Sequence, residues 1–257
     1  MRLREFALPK VDMSKVTPEM LKQYMAAAAQ RIAALPGNTA EYDLASVEPN
    51  PASPLKGKKI IFLGSSVTLG QSSLNQSFAD FLIKEDGVIG IKEAVNGTSM
   101  VDTDGMGPSF IKRIKNIDKD FAADAMIIQL STNDATQNKP LGTISDSTDI
   151  DAFDTLTIAG AMEWLIAYSK QTWNCPVIFY TGTQYLSPLY GEMVELTKKL
   201  QEKWGIGLID LWNDEEMLAL DDETYDLYMG DAVHPTKAGY KLWWTPKFRS
   251  YLIDFFA

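Results

Sequence analysis

The chain is predicted to fold as an α/β protein, a three-layer α/β/α sandwich around a central, mostly parallel five-stranded sheet. From Lys58 onward, short apolar runs alternate with longer helical stretches, which is the pattern of βα units. Several of these runs are apolar at consecutive positions, as strands covered by helices on both faces must be. The 257 residues, 46% hydrophobic and 23% charged, are enough for one large domain with a substantial core.

Residues 1–56 read as an N-terminal helical extension and a proline-rich linker ahead of a main domain spanning 57–257. The helical stretch, about 17–34, is alanine-rich and is entered at Thr17-Pro18-Glu19, where a capping hydroxyl precedes a first-turn proline. It can cover a sheet edge, form part of a pocket or make a dimer contact, and the sequence leaves all three open. The linker is Val47-Glu48-Pro49-Asn50-Pro51-Ala52-Ser53-Pro54, whose prolines hold the residues before them extended.

Five runs qualify as strands. Lys59–Leu63 and Ala125–Leu130 have the character of central strands, and Pro176–Tyr180 and Ile206–Leu211 read similarly. Glu93-Ala94-Val95 is shorter. Between the runs, residues 74–85, 153–172 and 190–204 carry helical periodicity. In open parallel sheets ligands bind beyond the carboxyl ends of the strands, so chemistry is sought in the residues that follow each run.

Composition narrows the function classes. Twenty-four basic against thirty-four acidic residues leave a net charge of −10, which argues against broad nucleic-acid or anionic-membrane partners. The single cysteine, Cys175, opens an apolar run and reads as a core thiol; no intrachain disulfide or Cys-based zinc site is available. The acidic stretches Asp102–Gly105 and Asp146–Asp151 invite a calcium reading, but neither completes an EF-hand loop and both are taken as solvated loops. The start, Met1-Arg2-Leu3-Arg4-Glu5, leads into no signal-type apolar segment, and no run approaches transmembrane length, so a cytoplasmic location is expected.

The only histidine, His234, stands in Asp231-Ala232-Val233-His234-Pro235. Imidazoles titrate near neutrality, so they can take a proton from a hydroxyl nucleophile and return it to a leaving group. In a tight turn, the Asp-x-x-His spacing can fold the carboxylate back onto the ring and hold its tautomer. Taken alone, the residue reads equally as a hydrogen-bonded histidine at a helix entry. Three strand ends add to it. Gly64-Ser65-Ser66-Val67-Thr68-Leu69-Gly70 follows the first strand, Asn96-Gly97-Thr98-Ser99 follows the short run, and Ser131-Thr132-Asn133-Asp134 follows the central strand. Each can be a plain turn or cap; each can also present a hydroxyl, a backbone N–H or an amide to a ligand.

In this order the four segments resemble the blocks of the SGNH (GDSL-type) esterase and lipase superfamily, over about Lys58 to Tyr240. The resemblance implies a flavodoxin-like α/β/α architecture. It also implies a nucleophile at Ser66, an oxyanion glycine at Gly97, an oxyanion asparagine at Asn133 and an Asp231–His234 pair. Two positions depart from the family pattern: Ser65 replaces an aspartate and Ser131 a glycine. The α/β-hydrolase elbow Gly-x-Ser-x-Gly is not matched, because Thr68 takes the second glycine position.

The function implied is ester hydrolysis through an acyl-enzyme, with catalytic residues Ser66, Asp231 and His234 and an oxyanion hole of the Ser66 N–H, Gly97 N–H and Asn133 side chain. No cofactor and no metal are required. A short acyl group such as acetyl, on a carbohydrate or other small alcohol, is the expected substrate. Tyr185, Tyr190 and Trp212 can stack on a sugar but are read as core, and the loop Gln137–Ile144 can border the site. The rival readings are a flavodoxin-like phosphate- or nucleotide-binding module using Gly64–Thr68, and a catalytically silent carbohydrate-binding relative.

Overall fold

The computed structural model describes residues 3–6, 16–103 and 106–257. Among them, five strands form one wholly parallel sheet: β1 (Lys59–Gly64), β2 (Ile89–Ala94), β3 (Ala125–Gln129), β4 (Val177–Tyr180) and β5 (Gly207–Ile209), in the order β2-β1-β3-β4-β5. The register sets Ile60 beside both Gly90 and Ala125, Met126 beside Val177 and Ile178 beside Gly207.

Strand side chains alternate between the two faces. Ile61, Leu63, Met126, Ile128, Val177 and Phe179 enter one core, and Ile60, Phe62, Ala125, Ile127, Ile178 and Tyr180 enter the other. The first core is roofed by α4 (Phe110–Arg113), α6 (Ile158–Trp173) and α7 (Pro188–Trp204). The second is covered by α3 (Phe78–Asp86) and α11 (Thr245–Phe256). Three layers result, because each central strand is apolar on both sides.

Element ends follow local chemistry. Leu74 and Asn75 have left-handed backbones, so the helix expected from residue 74 starts only at Phe78, after a Ser77–Asp80 capping box. Thr157 caps α6 and Ser187 caps α7, while Asn174 and Gly205, both at positive φ, end them. Strand β2 begins four residues before the apolar signal at Glu93, since an edge strand tolerates Gly90, Lys92 and Glu93.

The helix α1 (Pro18–Ala33) carries no buried residue. The chain after it is held closely to the body. Leu55 is fully buried, Asn50 N donates to Glu85 O, and the Ser53 hydroxyl donates to the buried Asp86 carboxylate. Cys175 is a core thiol pushed up to about 11 by burial. No group able to hold a metal ion occurs among the described residues; Asp104 and Gly105 of the first acidic stretch, and Met1 and Arg2, lie outside them. No described helix is long and apolar enough to cross a membrane.

Candidate active site

Strand order places the site. The chain leaves β1 towards β2 on one side and returns to β3 on the other, opening a crevice at the carboxyl ends of β1 and β3. Ser66 opens α2 (Ser66–Leu69) immediately after β1, and Asn133 lies in α5 (Thr132–Thr136) just after β3. His234 reaches them from the turn between α9 (Asp222–Tyr228) and α10 (Lys237–Gly239).

That turn is set by its own carboxylate. Asp231 Oδ1 accepts from the backbone N–H of Val233 and of His234, both at 2.9 Å, and Gly230 N donates to His234 O. Asp231 thereby lies against the ring, with Oδ2 2.7 Å from His234 Nδ1. A carboxylate can only accept, so Nδ1 carries the proton and Nε2 is left to accept from the Ser66 hydroxyl 2.7 Å away. Ser66 and His234 are each only 4% exposed, whereas the Asp231 side chain is 39% exposed at the rim. Burial pushes the Asp231 carboxyl up, but the His234 hydrogen bond and charge, with the two backbone donors, outweigh it and hold the group below the usual carboxylate range. Chemically, this chain of groups can draw a proton from a serine hydroxyl and stabilise the imidazolium that forms.

Asn133 and Asp134 grip the loop that carries Gly97. Asn133 Nδ2 donates to Thr98 O at 3.0 Å, which leaves a second amide hydrogen. The Asp134 carboxylate accepts from Met100 N and Val101 N. Burial pushes Asp134 up while the Ser131 hydroxyl and these two amides pull it down; burial prevails. Gly97 has φ +73°, a left-handed backbone that favours glycine, and the Met106 side chain packs over its α-carbon.

Both departures from the family pattern have local explanations. Ser131 sits at an ordinary φ of −74° and caps α5 by accepting from Asp134 N, so no glycine is needed there. Ser65 is paired with Gln129, a polar residue inside an otherwise apolar strand that carries no signal for this role in the sequence. Gln129 Oε1 accepts from Ser65 N, Thr68 N and Thr68 Oγ1, and Nε2 donates to Ser65 Oγ. A Cβ at Gly64 would overlap the Thr68 hydroxyl, so this network needs a glycine at the strand end.

Arg113 is a second buried polar residue behind the site. Its buried guanidinium donates to Gly64 O, Glu93 O, Pro108 O and the Thr98 hydroxyl, and pairs with Glu93 Oε1 at 2.9 Å. It ties the end of β1 to the Gly97–Thr98 loop. A lone arginine in a short helical segment carries no sequence signal for this role.

Tyr185, Tyr190 and Trp212 pack on one another with ring centroids 5.2–5.8 Å apart, the two tyrosines buried, and so belong to the core. Leu141–Ile144 line a groove of about 710 Å³ against α7, and neither Ser66 nor His234 lines it.

A model of the GDSL-like lipase/acylhydrolase family matches residues 62–242, more than half of the chain. The chain belongs to the GDSL-like lipase/acylhydrolase family. It is accordingly an ester hydrolase in the general sense of that family. Among solved structures, it is similar to a protein from Lactobacillus plantarum (TM-score 0.66, 20% identity, 79% of this chain and 99% of that one covered). It is also similar to a family two carbohydrate esterase from Clostridium thermocellum in complex with cellohexaose (TM-score 0.56, 14% identity, 80% and 66% covered). An acetyl xylan esterase is a third neighbour (TM-score 0.51, 18% identity, 76% and 99% covered). At these identities the neighbours share the fold. Comparison with curated proteins finds no match.

Proposed function

We propose that this hydrolase is a serine esterase that cleaves short-chain carboxylic esters, acetyl groups above all, from a carbohydrate or other small alcohol. The observation that carries the reading is the continuous hydrogen-bonded chain Asp231–His234–Ser66. Ser66 Oγ attacks the ester carbonyl while His234 Nε2 takes its proton, and Asp231 orients the ring and stabilises the imidazolium. The Ser66 N–H, the Gly97 N–H and the Asn133 amide hold the oxyanion. The imidazolium gives its proton to the leaving alcohol, and water, activated by the same ring, then releases the acid. The chemistry requires neither metal nor cofactor. The carbohydrate preference is supported by the likeness to a carbohydrate esterase and an acetyl xylan esterase.

The test is turnover of short-chain aryl esters and acetylated sugars by the wild-type protein, Ser66→Ala and His234→Ala. Each substitution is expected to lower kcat by on the order of 10⁴-fold or more with the fold retained. Retained activity in Ser66→Ala would falsify the assignment. A phosphate- or nucleotide-binding module has no use for the Asp231–His234–Ser66 chain and would not be labelled at Ser66 by a fluorophosphonate.

A further inference from the structure

We propose that the segment Leu3–Phe6 forms the alcohol-side wall of the esterase site, and that Phe6 sets which leaving alcohols the site accepts. The inference rests on the serine esterase reading and adds the side of the substrate that this segment meets.

The Phe6 ring stands edge-on to the His234 imidazole, centroids 5.5 Å apart and planes at 71°. It is half-buried, packed against the core on the face that carries Val233. The segment is fastened on two sides. Glu5 bridges in parallel to Leu186 beyond β4, with Leu186 N donating to Arg4 O at 2.9 Å. On the other side, the Arg4 guanidinium lies 4.4 Å over the Tyr225 ring of α9 and pairs with Asp226. The exposed ion pair adds little, so the backbone bridge and the ring contact are the firmer attachments. Leu186, 54% exposed, adds an apolar side chain beside the segment.

The chemistry assigns the side. When the Ser66 Oγ–carbonyl bond has formed and the ester C–O bond breaks, the proton on His234 Nε2 passes to the departing alkoxide oxygen and makes the alcohol. That oxygen must stand within hydrogen-bond reach of the imidazole. A ring packed against the imidazole therefore flanks the alcohol, and it is a neighbour of the acyl group only secondarily. An aromatic edge with an aliphatic neighbour suits an alcohol that has its own apolar face, either the C–H face of a sugar ring or an aryl ring.

The experiment compares wild type, Phe6→Ala and Phe6→Trp on acetates of methanol, phenol and a sugar, and on phenyl esters of increasing acyl length. For Phe6→Ala, kcat/KM is expected to fall about tenfold on phenyl and sugar acetates, mainly through KM, and the loss should shrink to about twofold on methyl acetate. Phe6→Trp should restore the bulky acetates, and the acyl-length profile on phenol should keep its shape. The phenyl and sugar arms separate an aryl from a carbohydrate preference. An equal loss on all three acetates would mean that the ring only steadies His234, and overturns the proposal. A gain on bulky alcohols, or a changed acyl-length profile, overturns it as well. Wild-type rates in Ser66→Ala would instead defeat the esterase reading, and this proposal with it, through a result independent of the alcohol.

Discussion

At the scale of single residues, the pair Ser65–Gln129 carries the turn that presents Ser66. One neutral amide satisfies two backbone N–H groups and two hydroxyls without placing a charge in a fully buried setting. Gln129→Ala would leave Ser65 N and Thr68 N without their acceptor, and should destabilise the fold by about 2 kcal/mol in urea unfolding while lowering kcat. Asp231 gives a second residue-scale expectation. Its carboxyl is held below the usual range, so it stays ionised as pH falls through that range. The stability it contributes is present above its unfolded value and lost only as pH drops through the lower folded one. Asp231→Asn should cut kcat by on the order of 10⁴-fold by favouring the wrong tautomer, read on an aryl acetate near neutrality. The contact between Asp231 and His234 was legible from one spacing in a chain with one histidine. Gln129 was not, because its only trace is a polar residue near the end of an apolar run.

At the scale of elements, the chain between α1 and β1 clasps the turn that bears His234. Asn38 accepts from Lys237 N and donates to Ser72 O, and Asp43 pairs with the Lys237 ammonium at 2.5 Å. The Lys237 hydrogen bond, with further donors from Ala45 and Gln76, holds the Asp43 carboxyl at about 2. The corresponding stabilisation is fully present above the ordinary value near 3.8 and lost as pH falls through about 2. Asp43→Asn should therefore unfold at lower urea than wild type at pH 7, with the difference closing between about pH 4 and pH 2. The prolines of Val47–Pro54 restrict the backbone locally, and the segment turns at 51–52 and 54–57; that local stiffness carries no information about Leu55 or Ser53 finding partners on the sheet layers.

At the scale of the whole molecule, the order β2-β1-β3-β4-β5 sets the crevice where the chain reverses direction, and the chain carries a net charge of −10. Neutral or cationic esters should be turned over with a higher kcat/KM than matched anionic ones, by a few-fold at low ionic strength. The ratio should fall towards one as salt is raised; a salt-independent ratio would show that the field does not reach the site.

Local pattern was sufficient for the central strands and for the helices α1, α3, α6 and α7, because burial on two faces requires apolar residues at every position of a central strand, and caps and breakers act within a few residues; α11 and the edge residues of β2 gave no such signal. It also sufficed for the order of the four segments that carry Ser66, Gly97, Asn133 and His234. Only the tertiary structure decided what meets what. Ser66 and His234 are 168 residues apart in the chain yet share a hydrogen bond, Gln129 reaches back to Ser65 across 64, and Phe6 lies on the imidazole of His234. Such pairs depend on strand order and on how segments close over the sheet, and periodicity along a chain encodes which face a residue turns to, not which distant residue will be waiting there.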